Sequence, residues 1–315
     1  MNLINGLKYI IKEPNFILYY VDKFLKIRIS DELYLKIMYK RIFNKELNLE
    51  NPSTFNEKLQ WLKLHDRKPE YTKMVDKYEA KNYIKELLGE QYIIPTIGIY
   101  DKFEQIDFNQ LPNQFVMKCT HDSGSTIVCK DKSKFNKANA KKKMKKALKT
   151  NFFYQGREWP YKNVKPRILV EKYMQDYTGA LVDYKFYAFN GKCEYVMACI
   201  DREKENEKTK FIYYDKNWNI KKEFSDDGIK YGDKVLLKRP KNLDKMFEFA
   251  SILSKGINFV RVDFYEIDSK LYFGELTFYP SSGFDDKRRN EIATYLNTNL
   301  KIGEDKNENS YIRSR

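Results

Sequence analysis

Two dipeptides do most to limit the folds open to this chain. Asn190-Gly191 stands between the apolar runs 182–189 and 193–200, and Asp268-Ser269 stands between 259–266 and 270–277. Asn-Gly is the commonest two-residue hairpin turn, because both residues tolerate the positive φ that a type I′ turn demands. Two antiparallel hairpins are therefore written into the C-terminal half. Further strand signals fall at 92–99, 114–120, 126–130 and 168–174. The N-terminal third carries helical signals instead. Ser30 can cap a helix through Phe43, and Thr54 with Glu57 has the spacing of a capping box for a helix through His65. Residues 70–88 form a further helix ended by Gly89, and later helices are predicted at 243–253 and 287–300. Helices first and hairpins afterwards give an α+β class rather than an alternating parallel sheet, and no internal repeat is visible.

Composition narrows the function classes. At 315 residues, 42% hydrophobic and 16% aromatic, the chain can bury a full core. It has no apolar stretch of 18 to 20 residues, and Lys8, Lys12 and Glu13 interrupt the apolar residues at the start, unlike a secretory signal. A cytoplasmic protein is the expectation. Leu3, Leu7, Ile10 and Ile11, then Ile17, Leu18, Val21 and Leu25, recur at helical spacing on either side of Pro14. They suit either a helix packed on the body or a basic amphipathic segment resting on the inner face of a membrane. The cysteines Cys119, Cys129, Cys193 and Cys199 show no C-x-x-C spacing, and only His65 and His121 accompany them, so core packing is expected rather than structural zinc.

Fifty-nine basic against 44 acidic residues leave a net charge of +15, which suits nucleotides, anionic polymers or a phospholipid surface. Nucleic acid is not the expected partner, since there is no RNA-recognition sequence, zinc-finger spacing or heptad-backed basic region. The densest basic run, 130–149, has ten lysines against Asp131, with Met144 and Leu148 spaced as on an amphipathic helix. It is either a solvated helix face or an anion-binding surface. Nothing in the sequence indicates an oligomeric state.

Three segments carry chemistry. Lys118 interrupts the apolar run from Phe115 to Thr120, where an unpaired ammonium is costly to bury. The chain then turns through Ser123, Gly124, Ser125 and Thr126, small residues that let backbone N–H groups approach phosphate oxygens. An edge-strand lysine before a simple hairpin would look the same. In the last hairpin, alternation puts Arg261 and Asp263 on one face, and Glu275 and Thr277 on one face. Where these faces coincide, two carboxylates in an apolar sheet call for a cation, and Mg²⁺ shared with phosphate oxygens satisfies that demand. A surface salt-bridge ladder is the alternative, although Val260, Val262, Phe264 and Phe273 leave little of the hairpin polar. The strand 168–174 ends in polar residues that can offer backbone groups to an adenine edge.

Taken in order, these pieces resemble the ATP-grasp superfamily, and more closely its TupA-type branch, associated with teichuronopeptide and surface-polysaccharide biosynthesis. The similarity covers about 33–300. It includes Asn51-Pro52-Ser53-Thr54-Phe55-Asn56-Glu57-Lys58-Leu59-Gln60-Trp61, Val75-Asp76-Lys77-Tyr78, Leu111-Pro112, 115–124, Asp183-Tyr184-Lys185-Phe186-Tyr187, Phe189-Asn190-Gly191-Lys192 and 260–283. The resemblance implies an ATP-grasp fold, two α+β lobes clasping ATP after a helical N-terminal extension. Its divisions would be 1–50 (extension), 51–113 (N-terminal lobe), 114–170 (small lobe with the phosphate loop), 171–302 (large lobe with the metal hairpin) and 303–315 (tail).

It also implies roles. Lys77 and Lys118 would contact ATP phosphates under a loop formed by Ser123, Gly124, Ser125 and Thr126. Glu171, Lys172, Tyr173 and Met174 would form the hinge beside adenine. Asp263 and Glu275 would bridge Mg²⁺ to the phosphates, and Arg261 would stabilise the transferring group. Asp183 and Lys185 would contact ribose and phosphate. Thr277 stands where many relatives place asparagine as a metal ligand. The implied activity is ATP-dependent ligation of an amine to a carboxylate, through an acyl-phosphate, on an acidic sugar or polysaccharide of a capsule or cell wall. A glycosyltransferase of that pathway is an alternative, though no Asp-x-Asp pair is present and Glu266-Ile267-Asp268 is the nearest approach. An ATP-dependent glycan kinase and a non-catalytic basic module are further alternatives.

Overall fold

A computed structural model describes residues 29–175, 181–200, 208–234 and 237–303. The amphipathic segment 1–28 and the tail from 304 lie outside the described residues. The chain divides into two compact units, one of residues 1–48, 63–83 and 94–173, the other of 49–62, 84–93 and 174–315.

The first unit is built on strands β1 (Thr96–Tyr100), β2 (Phe115–Cys119), β3 (Ile127–Cys129) and β4 (Ile168–Lys172), in the order β1-β4-β2-β3 and antiparallel throughout. In β2 alternate residues Phe115, Met117 and Cys119 are buried, as a half-covered strand requires. They join Ile168, Val170, Ala140 and Met144 in one core, so the Lys137–Leu148 helix covers that face of the sheet. The helix Asp31–Phe43 is capped by Ser30 as expected, the Ser30 hydroxyl accepting from the Leu33 amide at 3.2 Å.

The predicted helix 70–88 is two helices, Glu70–Val75 and Glu79–Leu87. The Asp76 carboxylate accepts from the amides of Tyr78 (2.8 Å) and Glu79 (3.2 Å), which ends one helix and starts the next. Lys77 thus sits in a break rather than on a helix face.

In the second unit five antiparallel strands, β5 (Asp183–Phe189), β6 (Lys192–Ile200), β7 (Lys210–Asp215), β8 (Val260–Ile267) and β9 (Lys270–Thr277), run in the order β7-β6-β5-β8-β9. Both predicted hairpins are present, with positive φ at Asn190, Gly191, Asp268 and Ser269. Strand β7 was not expected from the sequence, where charged residues around 201–210 suggest only a loop. The helix Leu243–Ser254 covers one face through Phe247, whose ring meets Phe186 edge-on at 4.9 Å. The predicted capping box also forms, with the Thr54 amide donating to Glu57 (3.0 Å) and the Glu57 amide donating to the Thr54 hydroxyl (3.2 Å). The last helix, predicted at 287–300, spans Asn290–Asn299. No described helix is long and apolar enough to cross a membrane.

Candidate functional site

The expected residues form two clusters, one in each unit. In the first unit Lys118 stands opposite Leu169, and Glu171 opposite Val116, so both side chains share the sheet face not covered by the Lys137–Leu148 helix. Lys118 Nζ lies 2.5 Å from one oxygen of Glu171, and Lys81 Nζ lies 2.5 Å from the other. Burial disfavours charge on Glu171, but Lys118 and then Lys81 outweigh it and hold the carboxyl below the ordinary range. The cluster keeps one excess positive charge, a suitable surface for phosphate. Lys81 was not foreseen, because nothing local distinguishes it from the other lysines of its helix.

The turn that follows β2 is anchored rather than loose at its base. Ser125 is buried, its hydroxyl donating to Asp122 (2.6 Å) while accepting from the Cys119 amide (2.8 Å). Lys77 donates to the Asp122 carbonyl, and its own amide donates to the Thr120 carbonyl at 3.1 Å. His121 Nε2 bridges the carbonyls of Ala147 (3.1 Å) and Thr150 (3.0 Å), tying the turn to the end of the lysine-rich helix. Ser123, Gly124 and Thr126 form the exposed tip. Gly124 has φ +95°, with nothing within 4 Å of where a Cβ would stand, so the tip offers bare backbone to an incoming group.

Beyond Glu171, Lys172 is exposed and alternates to the other face, and Tyr173 is buried with its hydroxyl lacking a hydrogen-bond partner. Met174, half-buried, opens the second unit's longest segment.

In the second unit the register puts Lys185, Asp263 and Glu275 in one row across β5, β8 and β9, with Tyr187, Arg261 and Thr277 in the next. Arg261 grips Asp263 with two bonds of 2.7 Å, and its Nη2 reaches Thr277 Oγ1 (3.1 Å) and Glu275 (3.4 Å). Lys185 bridges Asp263 (2.5 Å) and Asp183 (2.6 Å). Burial penalises charge on Asp263, yet Arg261 and then Lys185 keep its carboxyl below the ordinary range. Burial likewise opposes the Lys185 ammonium, and Asp263 reverses that, raising its pKa above the usual value.

The six residues expected here, Asp183, Lys185, Arg261, Asp263, Glu275 and Thr277, are thus one network. Three carboxylates face two cations, leaving one excess negative charge.

That donor set fits a hard divalent cation. Asp263 uses three of its roughly four lone-pair positions on Arg261 and Lys185. The Glu275 side chain is 46% exposed and holds only long contacts, so it has capacity for a ligand. No group of three or more His, Cys, Asp or Glu forms a cage among the described residues, but Mg²⁺ needs only one or two carboxylates beside phosphate and water. The cysteines do not compete as nucleophiles: burial pushes Cys119, Cys193 and Cys199 up to about 12.

Among solved structures the chain is similar to a D-alanine–D-alanine ligase from Bacillus anthracis (17% identity, 70% of this chain and 62% of that one, TM-score 0.40). It is similar to an L-amino acid ligase from Bacillus licheniformis (10% identity, 81% and 56%, TM-score 0.46). A third likeness is to the ATP-grasp ligase PsnB, solved with a minimal precursor, Mg and ADP (10% identity, 78% and 66%, TM-score 0.39). The chain therefore spans less than two thirds of the length of the first two. No curated protein sequence matches it to significance. Residues 57–301 match the sequence profile described as TupA-like ATPgrasp, and the chain belongs to that family.

Proposed function

We propose that this protein is an ATP-dependent carboxylate–amine ligase acting on an acidic sugar of a surface polysaccharide. The observation that carries the proposal is the row Lys185–Asp263–Glu275 with Arg261 and Thr277 beside it, acids and cations interleaved on one sheet face. In this reading Lys77, Lys118 and the backbone at Ser123 and Gly124 bind the phosphates, and Glu171, Lys172, Tyr173 and Met174 border the base. Asp263 and Glu275, with the Thr277 hydroxyl as a third donor, would hold Mg²⁺, which neutralises charge on the phosphate oxygens when bound.

The reaction breaks the bond between the β-bridging oxygen and the γ-phosphorus as a substrate carboxylate oxygen attacks. An amine then attacks the acyl carbon, the C–N bond forming as the C–O bond to phosphate breaks and the nitrogen gives up a proton, which yields an amide, ADP and phosphate. Such chemistry needs alignment and charge stabilisation rather than a side-chain nucleophile. The residues provide both. Arg261 and Lys185, held in place by Asp263, present fixed positive charge, and no Ser-His-Asp arrangement is required. The strongly basic chain suits an anionic acceptor and ATP, and the cytoplasm supplies the latter.

The test is ADP release with ATP, Mg²⁺, a uronic acid and a panel of amines. Turnover that requires both acid and amine is expected. Turnover indifferent to the amine, with phosphate retained on a sugar hydroxyl, would instead identify a kinase.

A further inference from the structure

We propose that a groove beside strand β3 is a second, non-catalytic binding site for a carboxylate-bearing sugar chain. The groove lies wholly in the first unit, between β3 and the Lys137–Leu148 helix, and has a volume of about 550 Å³. It is on the sheet face opposite Lys118 and Glu171. Ile127 and Cys129 pair with Met117 and Phe115, whose side chains point to the helix, whereas Lys118 and Glu171 alternate to the other side. Because β3 ends the sheet order, its outer side has no strand beside it among the described residues.

The lining states the ligand's chemistry. Lys134 and Lys143 stand against Asp131, so the groove carries a net positive charge, while the Lys130 ammonium lies over the Tyr173 ring at 5.9 Å on the other sheet face. Among the described residues Lys143 engages a neutral carbonyl, that of Thr126 at 2.8 Å, and Lys134 stands 3.9 Å from Asp131. Asn136 and Asn139 add amides, and the half-buried Phe135 ring adds an apolar surface. Cations for carboxylates, amides for hydroxyls and a ring for the C–H face of a sugar together match an acidic glycan.

Other anions match less well. No arginine occurs in 127–149, so the bidentate fork that recognises single phosphates is absent. A membrane surface would call for exposed apolar residues among the lysines, but the helix buries Ala140 and Met144 and exposes lysine, asparagine and Ala138. The one aromatic ring gives no successive stacking platform for nucleic-acid bases.

The choice of sugar rests on the ligase reading, but the groove itself is tested by binding alone. The probe is a fluorescent oligogalacturonate titrated into the full chain and followed by anisotropy. Lys134→Glu with Asn139→Asp places three negative charge units in the groove; Ala138→Asp with Lys142→Glu places three on the exposed helix outside it. The groove variant is expected to bind roughly tenfold more weakly, the scale of one lost exposed ion pair with added repulsion from two new carboxylates, and the outer variant close to wild type. Equal weakening by both would reduce the effect to diffuse charge and overturn the proposal, as would unchanged binding by the groove variant. Groove-dependent binding to phosphatidylglycerol vesicles without oligogalacturonate binding would assign the site to membrane and also overturn it. ADP release with monomeric galacturonate and an amine, expected to be equal in all three proteins, separates failure of the groove from failure of the ligase reading.

Discussion

The Glu171 carboxylate, gripped by one lysine at each oxygen, is the residue on which the first cluster balances. Its folded pKa is lowered, so its ionised form stabilises the fold. That contribution is complete above the ordinary value of 4.5 and drains away as pH falls through the lowered value. Replacing Lys118 by Met should cost about 2 kcal/mol at pH 7, less than the several kcal/mol of a bare buried charge because Lys81 remains. Denaturant unfolding of both proteins from pH 7 down to acid below that lowered value should show the difference shrinking; a difference that stays constant across the whole range would exclude the ion pair as its source. The acids of the second cluster should separate by burial. Glu275→Gln, at a half-exposed side chain, should leave the melting temperature nearly unchanged while ADP release falls on the order of a hundredfold. Asp263→Asn should lower both, because Arg261 and Lys185 then lose the charge that both of them grip.

At the level of elements, the decisive device is a bulge in the last hairpin. Ile267 pairs with Lys270 and Phe264 with Phe273, but Asp263 pairs with Glu275, so Gly274 is the extra residue. Were the ladder regular with Gly274 kept in it, Asp263 would oppose Gly274, and Glu275 would oppose Val262 on the face packed by the Leu243–Ser254 helix. A glycine fits here because an added Cβ would stand 3.0 Å from the Asp263 carbonyl oxygen and 3.0 Å from the Tyr265 ring. Gly274→Val should disfavour the bulge by crowding the Asp263 carbonyl and the Tyr265 ring, and the regular register then turns Glu275 and Thr277 from the site to the core face, a one-residue slip that reverses every side chain beyond it. The expected result is a destabilised protein, by circular dichroism melting, with no ATP turnover. Wild-type stability and activity would show that the bulge does not require a glycine at this position. Most elements were legible because capping boxes and tight turns are local. The break at Asp76 was also signalled, since Asp76 and Glu79 have the spacing of a helix start. Strand β7 was not, because its burial of Ile212, Tyr213 and Tyr214 depends on β6 and not on its own pattern.

On the scale of the whole molecule, each unit has its own sheet and covering helices, and the candidate residues are shared between them. ATP with Mg²⁺ at about a hundred times its dissociation constant contributes ~2.7 kcal/mol to the folded state. For a chain of this length the melting midpoint should rise by about 3–6 °C. Adding EDTA should return it toward the unliganded value. A rise produced equally by ATP without divalent cation would remove Asp263 and Glu275 from the metal role.

The α+β class, the two hairpins and the residue types of the candidate site follow from local sequence, since turns, caps and apolar alternation are short-range properties, while the family was legible only as a resemblance running over most of the chain. Lys118, Arg261, Asp263 and Glu275 could be named because charge in an apolar strand is conspicuous without knowing its neighbours. Only the tertiary structure decided who faces whom. It paired Lys118 and Lys81 on Glu171, put Lys77 in a helix break against the turn that follows β2, and brought Glu275 beside Asp263 through one extra glycine. Strand register and helix packing bring together residues tens of positions apart, and no local pattern encodes such distances.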